Sequence, residues 1–304
     1  MKQFFETMFF TPKWYHYPII LLLSPLSFVY GILMFLRRVF TTENTFSIPI
    51  ISVGNLIVGG SGKTPFTIAL ASRYEGVTII SRGYGRESEG LIQISAKGKI
   101  LTTVKESGDE PMLMAKSLPH GSVIVSEERE LAIELAMREG SKLIILDDGF
   151  NRVNIKKFEI LLEPKTIRNY LPFPAGAFRE FYWTKSYADI VAKEDQDFKR
   201  KVAFENLSDK MLLVTAISNP HRLERYLPEG VIGKVYLDDH AYFDEDELAK
   251  EIEKYDAKTL LVTQKDAVKM EDFKLPLSLM KLELIIDDQI LSSTDRYINT
   301  FFRR

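Results

Sequence analysis

The chain has 304 residues, 45% hydrophobic and 27% charged, with a formal net charge of −2; this ordinary globular balance excludes a disordered chain and one that binds nucleic acid by bulk charge. At roughly 150 residues per domain, the length accommodates two domains. There is no cysteine, and the four histidines, His16, His120, His221 and His240, stand far apart, which excludes disulfides, thiolate nucleophiles, iron–sulfur clusters and most zinc sites and leaves oxygen ligands for any metal.

Residues 1–40 differ from the rest. Residues 19–36, IILLLSPLSFVYGILMFL, are uncharged; as a helix they reach about 27 Å, just short of a bilayer core of about 30 Å. Trp14, Tyr15 and Tyr17 precede the run and Arg37-Arg38 close it, the aromatic-belt and snorkelling pattern of the headgroup region. Ser24-Pro25 and Gly31 are expected to kink the helix. A buried core helix shares this composition, but a cleaved signal peptide does not, because RRVFTTENTF stands where a small-residue cleavage site belongs. A membrane-associated segment uses the flanks best, and the basic pair places the domain after it on the cytoplasmic side.

The β-branched run 48–53 feeds into Gly54-Asn55-Leu56-Ile57-Val58-Gly59-Gly60-Ser61-Gly62-Lys63-Thr64-Pro65, and helical character continues over 66–71. Strand, glycine-rich turn and helix make an anion nest: backbone N–H groups and the helix N-terminus face phosphate, lysine adds charge, and threonine ligates Mg²⁺. Ile57 stands where the strict pattern has its first glycine, yet Gly-Gly-x-Gly-Lys-Thr survives in the right context. The expected nucleotide-binding residues are Ile57, Val58, Gly59, Gly60, Ser61, Gly62, Lys63 and Thr64.

A strand over 77–81 runs into Arg82-Gly83-Tyr84-Gly85-Arg86, whose arginines are placed to meet anions at the carboxyl end of a parallel strand. Gly108-Asp109-Glu110-Pro111 opens a helix, where Asp109 reads more readily as a cap than as a catalytic group. After a short strand over 122–125, the apolar run 143–146 ends in Asp147-Asp148-Gly149-Phe150, a Walker B pattern that supplies the carboxylates Mg²⁺ needs beside nucleotide phosphates. DDG alone is also a common turn.

A buried strand over 158–162 leads to the fixed loop 171–180, then to a last strand over 188–192, and the charged run 193–200 marks a boundary. Strands over 211–216, 231–237, 259–263 and 280–286 alternate with helices such as 245–255, capped by Asp244 and Glu247. Thr263-Gln264-Lys265-Asp266 lacks the spacer of a guanine-specificity motif and is read as a decoy for GTP. The expected fold is α/β: a membrane-associated helix in 1–40, a P-loop NTPase-type parallel-sheet domain over 41–195, and a smaller α/β domain over 205–304 closing over the cleft.

In order, the apolar N-terminus, VGNLIVGGSGKTP, SRGYGR, GDEP, LDDGF, PAGAFRE, the DDHAYF loop and TQKDAV resemble the lipid A disaccharide kinase family, the bacterial tetraacyldisaccharide 4′-kinases. Only the P-loop is specific alone; the ordered set, from Met1 to about Lys269, is highly specific. The resemblance implies a kinase at the cytoplasmic face of the inner membrane that uses ATP and Mg²⁺ to phosphorylate the 4′-hydroxyl of an acylated glucosamine disaccharide phosphate, with no nucleic acid and no obligate protein partner. It also implies roles. Lys63 and Thr64 hold β/γ-phosphates and Mg²⁺, with Asp147, Asp148 and Glu180 at the metal. Arg129 and Arg179 meet phosphate or substrate, Arg82 and Tyr84 lie near the reacting groups, and Asp109 is the base, paired with His240. The chain departs from the family at Asn151-Arg152 and at Phe181.

A membrane-tethered P-loop ATPase acting as a conformational switch shares the P-loop and Walker B. The arginines in strand-end loops and His240 in a second domain favour a substrate site instead.

Overall fold

The computed structural model describes residues 2–58, 62–164 and 167–303. Helix α1 (Lys2–Phe10) precedes α2 (Tyr17–Phe40), which runs on through Pro25. The carbonyl of Leu21, which Pro25 cannot serve with an N–H, accepts instead from Ser24 Oγ at 2.8 Å. Gly31, where a kink was expected, instead admits a close neighbour: a Cβ there would come within 2.6 Å of the Phe181 ring.

The chain continues through β1 (Ile50–Gly54), α3 (Lys63–Ala71), β2 (Val77–Ser81), β3 (Ile92–Ala96), β4 (Lys99–Ile100), α4 (Val104–Ser107), α5 (Asp109–Ser117), β5 (Ser122–Val125), α6 (Arg129–Arg138), β6 (Leu143–Asp147) and β7 (Phe158–Glu163). The remainder is β8 (Ile190–Lys193), β9 (Phe198–Glu205), β10 (Met211–Thr215), β11 (Val231–Tyr236), α7 (Glu245–Tyr255), β12 (Thr259–Thr263), α8 (Gln264–Ala267), β13 (Leu277–Ile286) and α9 (Asp288–Phe302). The fold is α/β, with mostly parallel strands and an apolar N-terminal helix.

Two compact units are built from interleaved stretches: residues 1–70, 137–199 and 286–304 in the first, and 71–136 with 200–285 in the second. In the first unit, parallel strands lie in the order β6-β1-β7-β8. Strands β1 and β6 are buried at every position, which is why both are dominated by aliphatic residues, unbroken over 143–146 and interrupted by Ser52 in β1. Their register sets Val53 beside Asp147, so the loop after β1 and the carboxylates after β6 emerge at one edge, where parallel sheets bind ligands. The C-terminal α9 belongs to this unit: the Tyr297 hydroxyl accepts from Ile50 N at 3.3 Å, and its ring stacks on Phe158.

In the second unit, β2 pairs with β5 in parallel and β3 runs antiparallel to β5 and β4. A five-stranded sheet in the order β11-β10-β12-β13-β9 completes it, parallel from β11 through β13.

Candidate active site

Within the first unit, Gly62 takes φ +79, a left-handed turn that glycine adopts without a Cβ penalty, and Lys63 opens α3. Lys63 Nζ donates to Asn55 Oδ1 at 3.1 Å and pairs with Asp148 Oδ1 at 3.3 Å. From the other side, Arg179 Nη1 reaches both Asp148 oxygens at 2.9 and 3.0 Å. Burial opposes ionisation of Asp148, but the Lys63 and Arg179 charges prevail and hold its carboxyl below the usual range. Asp148 itself sits at φ +54, a sparse region that Asp tolerates better than most residues. Asp147, buried at the end of β6, accepts from Thr67 Oγ1 at 3.3 Å.

The loop after β1 is tied to the segment carrying Arg179. Val58 N donates to Ala177 O at 2.9 Å and Arg179 N to Leu56 O at 2.7 Å, while Ile57 is buried with Leu56, Phe150 and Phe178. Ile57 and Val58, expected among the nucleotide-binding residues, thus anchor the loop: one side chain is in the core and one N–H is already engaged. Gly59, Gly60 and Ser61 lie outside the described residues. Glu180, expected at the metal, has another partner in this structure, with both oxygens accepting from Arg38.

The second unit holds the other constellation. Gly108 occupies the N-cap of α5 and Asp109 is the first helical residue, so the helix-capping reading of Asp109 gives way. Its buried carboxylate faces His240 Nδ1 at 3.0 and 3.1 Å. Lys265 Nζ lies 3.6 Å and Lys269 Nζ 3.7 Å from Oδ2. Burial works against the charge, yet the His240 hydrogen bond and the two lysines hold the Asp109 carboxyl below its ordinary range. The hydrogen bond to Asp109 in turn lifts His240 above the usual imidazole value, against burial.

His240, at φ +64, is fixed by its own N–H donating to Ala216 O at 3.0 Å. Beneath it, the fully buried Asp266 accepts from Thr215 Oγ1, Thr263 Oγ1 and Ala216 N at 2.6, 2.7 and 3.1 Å. Lys269 bridges this knot, donating to Ala241 O at 2.9 Å and lying 3.7 Å from Asp266. The TQKDAVK segment is therefore structural support for Asp109 and His240. Its signal was the pair Lys265 and Lys269, four residues apart, of which Lys265 lies in α8 and Lys269 in the turn after it.

Of the other expected residues, Tyr84 is exposed with its ring 5.6 Å from that of His240. Arg82 is exposed at the end of β2, whereas Arg86 is turned onto Glu127 at 2.5 Å. Arg129 is buried at the start of α6 and donates to the Ser126 carbonyl. Asn55 and Thr67 escaped the sequence reading. Both are buried polar side chains next to a motif, and burial is what the sequence alone does not display.

The family model of LpxK, tetraacyldisaccharide-1-P 4′-kinase, matches residues 19–211 and 191–298. A tetraacyldisaccharide 4′-kinase of Helicobacter acinonychis (strain Sheeba) is 48% identical, over 99% of this chain and 96% of that protein. One from Aliarcobacter butzleri (strain RM4018) is 44% identical over 99% and 100%. The crystal structure of an LpxK from Aquifex aeolicus in complex with ATP superposes with a TM-score of 0.78 at 26% identity, covering 93% of this chain and 99% of that one.

Proposed function

Given that the chain belongs to the tetraacyldisaccharide-1-P 4′-kinase family, a family of lipid A biosynthesis, we propose that it transfers the γ-phosphoryl group of ATP to the 4′-hydroxyl of an acylated glucosamine disaccharide 1-phosphate at the cytoplasmic face of the inner membrane. The observation that carries the residue assignment is the setting of Asp109: a buried carboxylate faced by His240 Nδ1 at 3.0 Å, with Lys265 and Lys269 at 3.6 and 3.7 Å, stays ionised and so keeps an oxygen able to accept the acceptor's proton.

The acceptor hydroxyl gives its proton to Asp109 as its oxygen bonds to the γ-phosphorus, and the bond to the β–γ bridging oxygen breaks, releasing ADP. Lys63 and Arg179, which share Asp148 in this structure, offset charge on the phosphate oxygens. His240 orients Asp109, and Tyr84 and Arg82 bind the acceptor or its phosphate, whereas Arg129, expected in the same role, is buried and donates to the Ser126 carbonyl. Thr64, Asp147 and Asp148 would hold Mg²⁺; no cluster of three or more acidic or histidine ligands occurs among the described residues. Hard oxygen donors that leave room for phosphate and water suit this ion, which adds positive charge at the phosphates.

Membrane seating is supported by α2. Its apolar window has a mean hydropathy of 2.4 and is only 17% buried, with Leu21, Leu22, Leu26, Val29 and Leu33 exposed. The opposite stripe, Ile20, Ser27 and Gly31, is buried, which favours a helix seated in one leaflet with the protein on one side. The test is ATP labelled in its γ-phosphate, incubated with the full-length protein and membrane lipid extract. Label in the lipid phase, absent with Lys63→Ala, supports the kinase assignment; label released only as inorganic phosphate rejects it in favour of an ATPase switch.

A further inference from the structure

A basic pair closing an apolar helix normally snorkels to water and headgroups. Arg38 does not, since its side chain is 8% exposed. Its Nε and Nη2 donate to Glu180 Oε2 and Oε1 at 2.8 and 2.9 Å, and Nη2 also donates to the Phe150 carbonyl at 3.2 Å. The guanidinium lies 4.4 Å from the centroid of the Phe150 ring. Neighbouring Arg37 donates to the Asn151 carbonyl at 2.6 Å.

The ends of this clamp are telling. Glu180 directly follows Arg179, and Phe150 stands two residues after Asp148; Arg179 and Asp148 are the ion pair that Lys63 joins. A bidentate buried pair fixes both partners in orientation as well as distance. The rest of α2 lies along the same segment: Ser27 Oγ donates to the Pro172 carbonyl, Gly31 meets Phe181, and the Phe35 and Trp183 rings are 4.7 Å apart.

We propose that Arg38 is a positioning residue for phosphoryl transfer: by fixing Glu180 and the Phe150 carbonyl it holds Arg179 and Asp148 in register with Lys63, so the seat of the apolar helix governs turnover as well as location. This rests on the kinase assignment under Proposed function. A small displacement of the pair is enough to matter, because misplacement by about 1 Å can cost 10²-fold in rate.

The experiment uses full-length protein in detergent micelles with the acylated disaccharide acceptor, comparing wild type with Arg38→Lys, Arg38→Gln and Arg38→Gln/Glu180→Gln. Turnover, KM for acceptor, melting temperature and binding to anionic phospholipid vesicles are measured together. The double variant removes both charges and leaves no buried ion unpaired, so it tests the idea even if Arg38→Gln fails to fold. Expected are a kcat lowered roughly 10- to 100-fold in the folded double variant, acceptor KM and vesicle binding within about twofold of wild type, and an intermediate kcat for Arg38→Lys, which keeps the charge but loses the fork. Weakened vesicle binding or raised KM with unchanged kcat would make Arg38 a headgroup residue and overturn the proposal. So would a kcat lowered only in proportion to the unfolded fraction. Failure of the kinase assignment would be seen separately, as absence of lipid labelling by the wild type.

Discussion

Asp109 and His240 shift each other in opposite directions, with opposite consequences for stability against pH. His240 is raised above its ordinary 6.5 by the hydrogen bond to Asp109, so its contribution to stability is complete below pH 6.5 and disappears as pH rises through the higher folded value. Asp109 is depressed below 3.8 despite burial; its contribution is present above 3.8 and disappears as pH falls through the lower folded value. The melting-temperature gap between wild type and His240→Ala should therefore shrink as pH rises from 6 to 9. A gap that widens over this range would mean that the pair is not coupled in this way. At the same scale, Lys63→Ala should abolish transfer with little loss of melting temperature, since the Lys63 ammonium meets Asn55 and Asp148 at the site and Arg179 still pairs with Asp148 when it is gone.

Legibility at this scale divides by range. That Lys63 and Asp148 lie together was legible because each stands in a local motif at the end of a parallel strand. The partners of Glu180 and Arg38 were not: an apolar run closed by two arginines looks the same whether the second one meets water or a glutamate 142 residues away.

At the level of elements, α2 is defined by its buried stripe. Gly31→Ala would place a Cβ 2.6 Å from the Phe181 ring, and overpacking of this kind costs about 1–3 kcal/mol. Thermal unfolding in detergent should show a clearly lowered melting temperature; a value at or above wild type would mean that Phe181 yields freely. Buried parallel strands were readable from their aliphatic content, β1 as a short β-branched run and β6 as a continuous apolar one, while β9, FKRKVAFE, was hidden by its charges. An edge strand, with half its side chains in water, can carry charge that resembles a linker. Strands β3 and β4 were missed for a related reason, being short and mostly unburied.

For the molecule as a whole, the N-terminal segment is part of the first unit's packing. Met8 is buried with Ile20 and Ala175, and Asn169 Nδ2 donates to the Met8 carbonyl at 3.2 Å. Deleting residues 1–38 should thus shift the protein to the soluble fraction and also destabilise it, because Glu180 would lose its arginine. Removing one partner of a buried ion pair typically costs about 3–5 kcal/mol. Adding Glu180→Gln to the truncated chain should recover part of the lost melting temperature, and no recovery would show that the pair matters little for folding.

At the centre of the proposed reaction, Asp109 takes the proton of the acceptor hydroxyl while Lys63 serves the nucleotide. The most direct test is turnover of Asp109→Asn with labelled ATP and the acylated disaccharide, measured alongside ATP affinity and melting temperature. Asparagine can still accept from Glu110 N, as Asp109 Oδ1 does at 2.9 Å, but it cannot take the proton. Lipid labelling should fall by about 10²-fold or more while ATP affinity and folding are preserved. A folded Asp109→Asn protein that labels lipid at the wild-type rate would contradict this assignment.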